Sequence, residues 1–544
     1  MISCINSVES SNMKITYIPP MRIIKEYNAS NSQVLLSSVT KHPSFTKDNA
    51  CVIKKGGYIL LDFGCEIAGG IEVTTQYDLS INSSKLRIVF GESVSEALST
   101  LGEKNSGNYH SVRDTIIDVV PYSQFNFGST GFRFVKIEAM DSDVGIRTLN
   151  ARMVARDAKL LGSFECDDEM LNKVWQTAVY TVYLNMQEYL YDGIKRDRLV
   201  WAGDMYPEVK TILCAFGDNG VIKKTLDYAK NECNESLWMN KIPSYTLWWI
   251  KIHRDLYYYS GDIKYLKEQE IFIEKVFEKV KSCISDSGEV SFDRYFTDWS
   301  TEGTEDIYLS FRSCLMMGIC AIEDVFTVLK NEKAKECNEL KNRVKKIIPE
   351  CYGSKQAAGM SAFSGLCDPK KVNDEILSID PLKGLSAFYG YFVLMARAMA
   401  DDTEGSLDLI RNYWGKMIEF GATTFWEDFD VEWTENASPI TEVIPEGKKD
   451  IHGDFGRFCY VGFRHSLCHG WSSGPAPFMT EYILGIKIIE PGCKEIKIQP
   501  NLGGLSYAKG TVPTPYGEIK VSHKIVDGKI ITEVSAPDEI KVIM

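Results

Sequence analysis

Through about the first 155 residues, apolar positions come in short runs or alternate with polar ones. Tyr58-Ile-Leu-Leu-Asp-Phe-Gly ends on glycine, Ile71-Glu-Val-Thr-Thr follows a Gly69-Gly70 turn, and Leu86-Arg-Ile-Val-Phe and Phe132-Arg-Phe-Val-Lys-Ile-Glu alternate. Short strands punctuated by Gly and Ser predict an antiparallel sandwich. Near residue 165 the period lengthens. Cys166-Asp167-Asp168 supplies N-cap candidates, and Leu171, Val174, Trp175, Ala178, Val182 and Tyr183 fall on a 3.6-residue repeat, so an amphipathic helix is expected over 168–190. Pro207 opens another, to Ala215, in the first-turn position that tolerates its missing N–H.

Further helical patterns cover 244–260, 262–284, 305–330, 331–349, 383–400 and 402–420, and a last one runs from about Ser472 to Gly485. Ten to twelve consecutive helices without a fixed-length repeat predict a helical barrel or solenoid rather than an array of short repeats. Alternation returns in Ile496-Lys-Ile-Gln, Gly517-Glu-Ile-Lys-Val-Ser and Lys529-Ile-Ile-Thr-Glu-Val. The expected organisation is mainly α: a β-sandwich over 1–160, a helical barrel over 161–488 and a small β-sheet domain over 489–544.

Composition narrows the function. The chain has 544 residues, 44% hydrophobic and 25% charged, which is too long for one ordinary core. Its net charge of -13 repels a polyanion, so no nucleic-acid partner is expected. The first residues lack a basic start and an apolar core, and the most apolar stretch, Ser313–Ile322, is too short to cross a bilayer. A cytoplasmic protein with no membrane partner is expected. The 15 cysteines are scattered, without a CxxC pair, and read as reduced buried side chains.

The densest polar cluster is Asp192-Gly-Ile-Lys-Arg-Asp-Arg-Leu-Val-Trp-Ala-Gly-Asp204, between two expected helices. Carboxylates mixed with arginine can hold different protonation states, as glycoside hydrolysis requires, although a solvated salt-bridge loop would look the same. Tryptophans suit the apolar faces of sugars. Trp201, Trp249, Trp299, Trp426 and Trp471 recur beside Asp298, Glu427 and His469, which suggests a shared cleft. The second carboxylate is expected from a distant segment, Gly421-Ala-Thr-Thr-Phe-Trp-Glu427. His465 and His469 have an i, i+4 spacing, but Gly470 breaks the helix a metal pair would need, so no metal and no cofactor are expected.

The 192–204 cluster resembles the acidic motif of the bacterial α-L-rhamnosidases of glycoside hydrolase family 78. Gly421–Glu427 resembles that family's second acidic motif, and Ser466-Leu-Cys-His-Gly-Trp-Ser-Ser-Gly-Pro475 its late barrel motif. Leu61-Asp-Phe-Gly with Gly69-Gly70 is similar to its N-terminal sandwich, and Pro500–Leu505 with Lys509–Gly517 to its C-terminal sheet. The resemblance implies an (α/α)6 barrel of six-hairpin type and inverting removal of terminal α-L-rhamnose. It places Asp197 at the general acid and Glu427 at the general base, with Asp192, Arg196 and Asp204 holding sugar hydroxyls. Trp201, Trp249, Asp298, Trp299 and His469 complete the expected binding set. The partner implied is a rhamnose-containing glycoside, with a homodimer left open. An inverting pair stands roughly 6.5–9.5 Å apart to admit water. The chain departs from the family in being short and in carrying Asp197 where many members have Glu. The shorter acid must sit nearer the leaving oxygen, or Asp192 or Glu208 shares its role.

Overall fold

The computed structural model describes residues 12–37, 42–44, 49–76, 83–233 and 235–544. The leader reading above therefore falls on residues 1–11, outside the described ones.

Seven strands form the N-terminal sheet: β1 Met13–Ile18, β2 Arg22–Ser30, β3 Cys51–Thr75, β4 Ser84–Gly91, β5 Asp114–Val119, β6 Gln124–Ala139 and β7 Val144–Arg156. Their order is β1-β7-β3-β6-β4-β5, with β2 also on β3. Gly69-Gly70 does not make the expected turn, and both runs lie in the one 25-residue strand β3. At Gly69 (φ +152°) a Cβ would overlap Arg152 O, and at Gly70 it would overlap Gly128 O. The pair is needed where neighbouring strands press closest, and the register shifts there instead of reversing. Ile53, Ile59, Leu61, Ile67, Ile71 and Val73 from both halves of β3 share one core with Ile88, Phe132 and Leu149.

In the middle, the described residues contain ten helices of nine residues or more, from Glu169–Asn185 to Thr403–Glu419. Helices of all kinds make up 38% of the described residues, with sheets at both ends. Asp168 caps the first, accepting from Met170 N at 2.8 Å and Leu171 N at 3.1 Å, so the N-cap signal was sound. Two helices go beyond those expected from the sequence, Val221–Asn231 and Lys355–Phe363. The pattern after Ser472 is a broken series of turns, Gly470–Ser473, Pro475–Phe478 and Met479–Ile483. Among the described residues, no helix is long and apolar enough to cross a membrane.

Ser163–Cys166 pairs with Tyr507–Thr514 in a four-stranded sheet, and Ile486–Ile488 pairs with Glu495–Ile498 in a three-stranded one. The C-terminal unit thus borrows a strand from before the first long helix. An edge strand is claimed by whichever backbone can complete its ladder, a long-range choice that alternation alone does not reveal.

Candidate active site

The acidic cluster is a tight loop between the helices Glu169–Asn185 and Met205–Ala215. Asp192 closes it: its backbone N donates to Leu199 O at 3.1 Å, and its Oδ1 accepts from Leu199 N at 2.9 Å. Inside the loop, Asp197 and Arg198 both sit at φ +54°. Consecutive left-handed non-glycine residues cost of order 1–3 kcal/mol each and persist only where the surroundings enforce them. Arg198 is tied to Ser129 O at 2.6 Å and Ser129 Oγ at 3.1 Å, and His110 Nε2 lies 3.2 Å from Asp197 Oδ1. Gly131 of β6 makes room, since a Cβ there would press on Ile194 and Lys195 N.

Glu427 follows the helix Thr403–Glu419 on an irregular segment stitched to the 465–471 strand-like stretch. Glu427 N donates to Ser466 O at 3.0 Å, and His469 N to Phe425 O at 2.9 Å. Gly193 bridges His469, and Gly470 N donates to Asp192 O at 2.9 Å. Backbone hydrogen bonds thus bring together three segments far apart in sequence. On the side-chain level, Glu427 Oε1 accepts from Arg196 Nη2 at 2.8 Å and from the Cys459 thiol at 2.8 Å, while Oε2 accepts from Ser466 N at 3.0 Å. Its carbonyl accepts from Trp471 Nε1 at 2.9 Å.

Arg196 is the hub. Its Nη2 also lies 3.2 Å from Asp197 Oδ2, and its guanidinium sits 3.8 Å from the centre of the Tyr460 ring. One nitrogen therefore bridges both candidate catalytic carboxylates. Laid end to end, its two contacts fall short of the roughly 6.5 Å at which the inverting spacing begins. The nearest oxygens are thus closer together than expected.

The surrounding acids are set differently. Burial, with Asp197 and Asp204 nearby, holds the Asp192 carboxyl well above the usual carboxylate range. Burial also holds Asp204 well above it, although Tyr245 donates to Asp204 Oδ1 at 3.0 Å and pulls the other way; Glu427, Asp197 and Asp298 add to the rise. Asp298 is raised chiefly by burial, and its Oδ2 accepts from Ser300 Oγ at 2.6 Å and Ser386 Oγ at 2.8 Å. Burial, then Arg196, pushes His469 well below the usual imidazole range, so it is neutral. Its Nε2 stands 3.8 Å from Asp192 Oδ2 and 4.0 Å from Glu427 Oε1.

Most of the expected residues meet here. Trp201 stands edge-on to Tyr245, the partner of Asp204. Trp299 remains 37% exposed, its ring centre 6.4 Å from that of Tyr460. Trp249 does not join them. It is completely buried in its helix, its Nε1 donating to Leu226 O at 2.9 Å and its ring against His253 and Phe272. It is a packing residue, because the apolar side of Pro243–Ser260 turns it inward. Glu208 is buried with neither carboxylate oxygen hydrogen-bonded, and burial, then Asp204 and Asp192, holds it well above the usual range. His465 and His469 stand in extended backbone beside short 3-10 turns, not on one helix, and His465 Nε2 instead accepts from Asp428 N at 2.9 Å. Sequence reasoning missed His110, Tyr245, Cys459 and Tyr460. His110, Cys459 and Tyr460 stand outside any acidic or Trp-rich run, and Tyr245, just ahead of Trp248-Trp249, is brought to Asp204 only by the fold.

Among the described residues, Glu92, Glu96 and His452 offer atoms within 4.8 Å of one another that could hold a cation. The Lys195 ammonium already lies 3.1 Å from Glu92 and 3.0 Å from Glu96. A separate cavity of about 290 Å³, lined by Lys210, Lys251, Asp255 and Glu481 beside the C-terminal strands, includes none of the candidate catalytic residues.

Residues 159–362 match the bacterial alpha-L-rhamnosidase 6 hairpin glycosidase domain, and residues 485–543 the bacterial alpha-L-rhamnosidase C-terminal domain. The alpha-L-rhamnosidase of Formosa agariphila is 31% identical over 80 residues, 15% of this chain and 8% of that protein. The fold is similar to the family GH78 rhamnosidase of Bacillus sp. GL1, with a TM-score of 0.75 and 19% identity over 94% of this chain and 55% of that one. It is also similar to the Streptomyces avermitilis alpha-L-rhamnosidase complexed with L-rhamnose, with a TM-score of 0.72 and 15% identity over 97% and 50%. A Klebsiella oxytoca rhamnosidase with rhamnose bound gives 0.69 and 18% over 86% and 95%. The chain thus spans about half the length of the first two of these solved relatives.

Proposed function

From its membership of the bacterial alpha-L-rhamnosidase family, we propose that this protein is a glycoside hydrolase that removes terminal α-L-rhamnose from short glycosides with inversion. The observation that carries the reading is the Arg196 bridge, which joins Glu427 to the 192–204 loop across 231 positions of sequence. In this reading the central helices close as an (α/α)6 barrel, and its loops hold the sugar.

Asp197, at 17% side-chain exposure the more open of the two, protonates the departing glycosidic oxygen. Glu427 takes a proton from the water that attacks the opposite face of the anomeric carbon. Sugar and water enter between them and displace Asp197 from Arg196, which widens the pair to the inverting distance. Arg196 stays on Glu427 and Tyr460. Asp192 and Asp204, kept neutral by burial, donate hydrogen bonds to sugar hydroxyls as neutral acids can. Neutral His469 lies beside both Asp192 and Glu427, and Trp201, Asp298 and Trp299 complete the walls. The described cysteines are all thiols, which suits the reducing cytoplasm where this reading places the enzyme.

The test is hydrolysis of aryl α-L-rhamnopyranoside beside a panel of other aryl glycosides, with the first-formed anomer followed by proton NMR. Selective rhamnoside turnover yielding the β-anomer first is the expected result. Turnover of another deoxyhexoside or a uronide instead would move the substrate within the class, and α-anomer first would replace inversion with retention. A folded protein that binds rhamnose without turning over any glycoside would make it a carbohydrate-binding relative.

A further inference from the structure

The 192–204 loop and the 465–471 stretch both lean on the N-terminal sheet, and one residue of that sheet holds the two at once. Glu92 follows β4 and is completely buried. Its Oε2 accepts from Leu467 N at 2.6 Å and lies 3.1 Å from Lys195 Nζ. Leu467 is the neighbour of Ser466, whose N donates to Glu427. Lys195 is the neighbour of Arg196, which bridges Glu427 and Asp197. The Lys195 ammonium also donates to His465 O at 2.7 Å, so the same cation grips the 465–467 backbone directly.

The surroundings keep this clamp charge-balanced. Glu96, 3.0 Å from Lys195, is paired with Arg113 at 2.6 Å and accepts from Glu92 N at 2.8 Å. Glu66 is held well above the usual carboxylate range by burial and by Glu92, and therefore stays neutral. His452 is pushed down to about 4 by burial and Lys195, and is neutral as well. Burial raises the Glu92 carboxyl against Lys195, Arg113 and the Leu467 N–H, whereas Arg113 and Lys195 hold Glu96 below the usual range against burial; with both ionised, two buried anions face two buried cations, Lys195 and Arg113. Buried ion pairs are weak sources of net stability, and their best-attested use is to enforce one arrangement over others. At this position the arrangement enforced is the relation between the 192–204 loop, which carries Asp197, and the 465–471 stretch, whose Ser466 N donates to Glu427.

We infer that Glu92 is a positioning residue, supplied by the N-terminal sheet, that sets Asp197 relative to Glu427 by binding Lys195 and Leu467 N together. The inference rests on the proposed glycosidase reading for its catalytic consequence, but not for its structural one. Glu92→Gln keeps an acceptor for Leu467 N and removes the charge that holds Lys195, whereas Glu92→Asp keeps the charge and shortens the span.

The test combines hydrogen exchange with kinetics on the full chain. In Glu92→Gln, exchange should rise together in 192–200 and 463–470, with β1 and the C-terminal strands unchanged. On aryl α-L-rhamnosides, kcat should fall on the order of 10–100-fold while KM changes little, and poor leaving groups should suffer most, because the acid loop loses its tether. Glu92→Asp should not rescue activity. If Glu92→Gln does not fold, the charge-neutral Glu92→Gln/Lys195→Met is measured in its place. Unchanged exchange, a rise in only one segment, or equal losses for good and poor leaving groups would overturn the inference. If wild type turns over no glycoside, the glycosidase reading fails, and the paired rise in exchange still decides the clamp.

Discussion

Arg196 makes three contacts at once: two carboxylates on one nitrogen and, with the plane of its guanidinium, the face of Tyr460. Its planar guanidinium explains why the motif has Arg here beside a lysine with a different task. Arg196→Lys should lower kcat/KM by at least about 100-fold with unchanged far-UV dichroism. Removing the base in Glu427→Gln should cost roughly 10²–10⁴-fold, and a rate near wild type would take it out of the mechanism. Asp197→Asn should hurt poor leaving groups far more than activated aryl rhamnosides, and an equal loss on both would exclude it as the acid. Asp428 gives a stability prediction. Burial pushes its carboxyl up to about 6, although Phe458 N and Arg457 N donate to it. Its unfolded value is near 3.9, so the folded chain keeps the proton where the unfolded chain has lost it. That contribution is present below roughly pH 4 and is lost as pH rises through about 6. Asp428→Asn should therefore gain on wild type by ~2–3 kcal/mol between pH 4 and 7 in denaturant titrations.

At the scale of elements, helices announced by a cap and a stripe were legible, and those without were not. Asp168 both caps Glu169–Asn185 and binds Arg411 at 2.6 Å. Asp168→Ala should destabilise the chain by about 1–2 kcal/mol, with Asp168→Asn losing less because the cap survives. Val221–Asn231 starts after Gly220 with no side-chain cap, so its stripe of Val221, Ile222, Thr225 and Leu226 has no marked beginning. Lys355–Phe363 is buried on every side, and Gly359 packs on the Val393 backbone, so it has no polar face to create a period. Pro475 and Pro477 break the last expected helix into turns. The turn before it is constrained by contact, because a Cβ at Gly470 would overlap the Glu208 carboxyl. Gly470→Ala should displace His469 and Asp192 and cut kcat/KM more than tenfold, while a fully active variant would show that the loop can yield.

Across the whole molecule, the N-terminal sheet is part of the site and not an appendage. Arg133 of β6 donates through Nε to Asp62 Oδ1 at 2.8 Å and through Nη1 to Gly421 O at 2.9 Å, just ahead of Glu427. Glu66 N donates to Thr423 Oγ1 at 2.9 Å, and Val94 N to Ile440 O at 2.9 Å. Burial would raise the Asp62 carboxyl, yet Arg133 and Arg22 hold it below the usual range. Arg133→Met breaks a buried pair and should cost about 3–5 kcal/mol. Calorimetry should show the sheet unfolding at lower temperature, ahead of the helical part. A single unshifted transition would mean that the other contacts suffice.

The order of β, helical and β regions, the capped first helix and the two acidic segments could all be read from the chain alone, since period, cap and motif are local signals. The sharing of Ser163–Cys166 with the C-terminal sheet, the burial of Trp249, the unbroken run of β3 through Gly69-Gly70 and the placing of His110 at Asp197, Cys459 at Glu427, Tyr460 at Arg196 and Glu92 at Lys195 were decided only by tertiary structure. Each depends on which distant backbone or side chain fills a space or satisfies a buried charge. That is a property of the packed whole, and no window of sequence contains it.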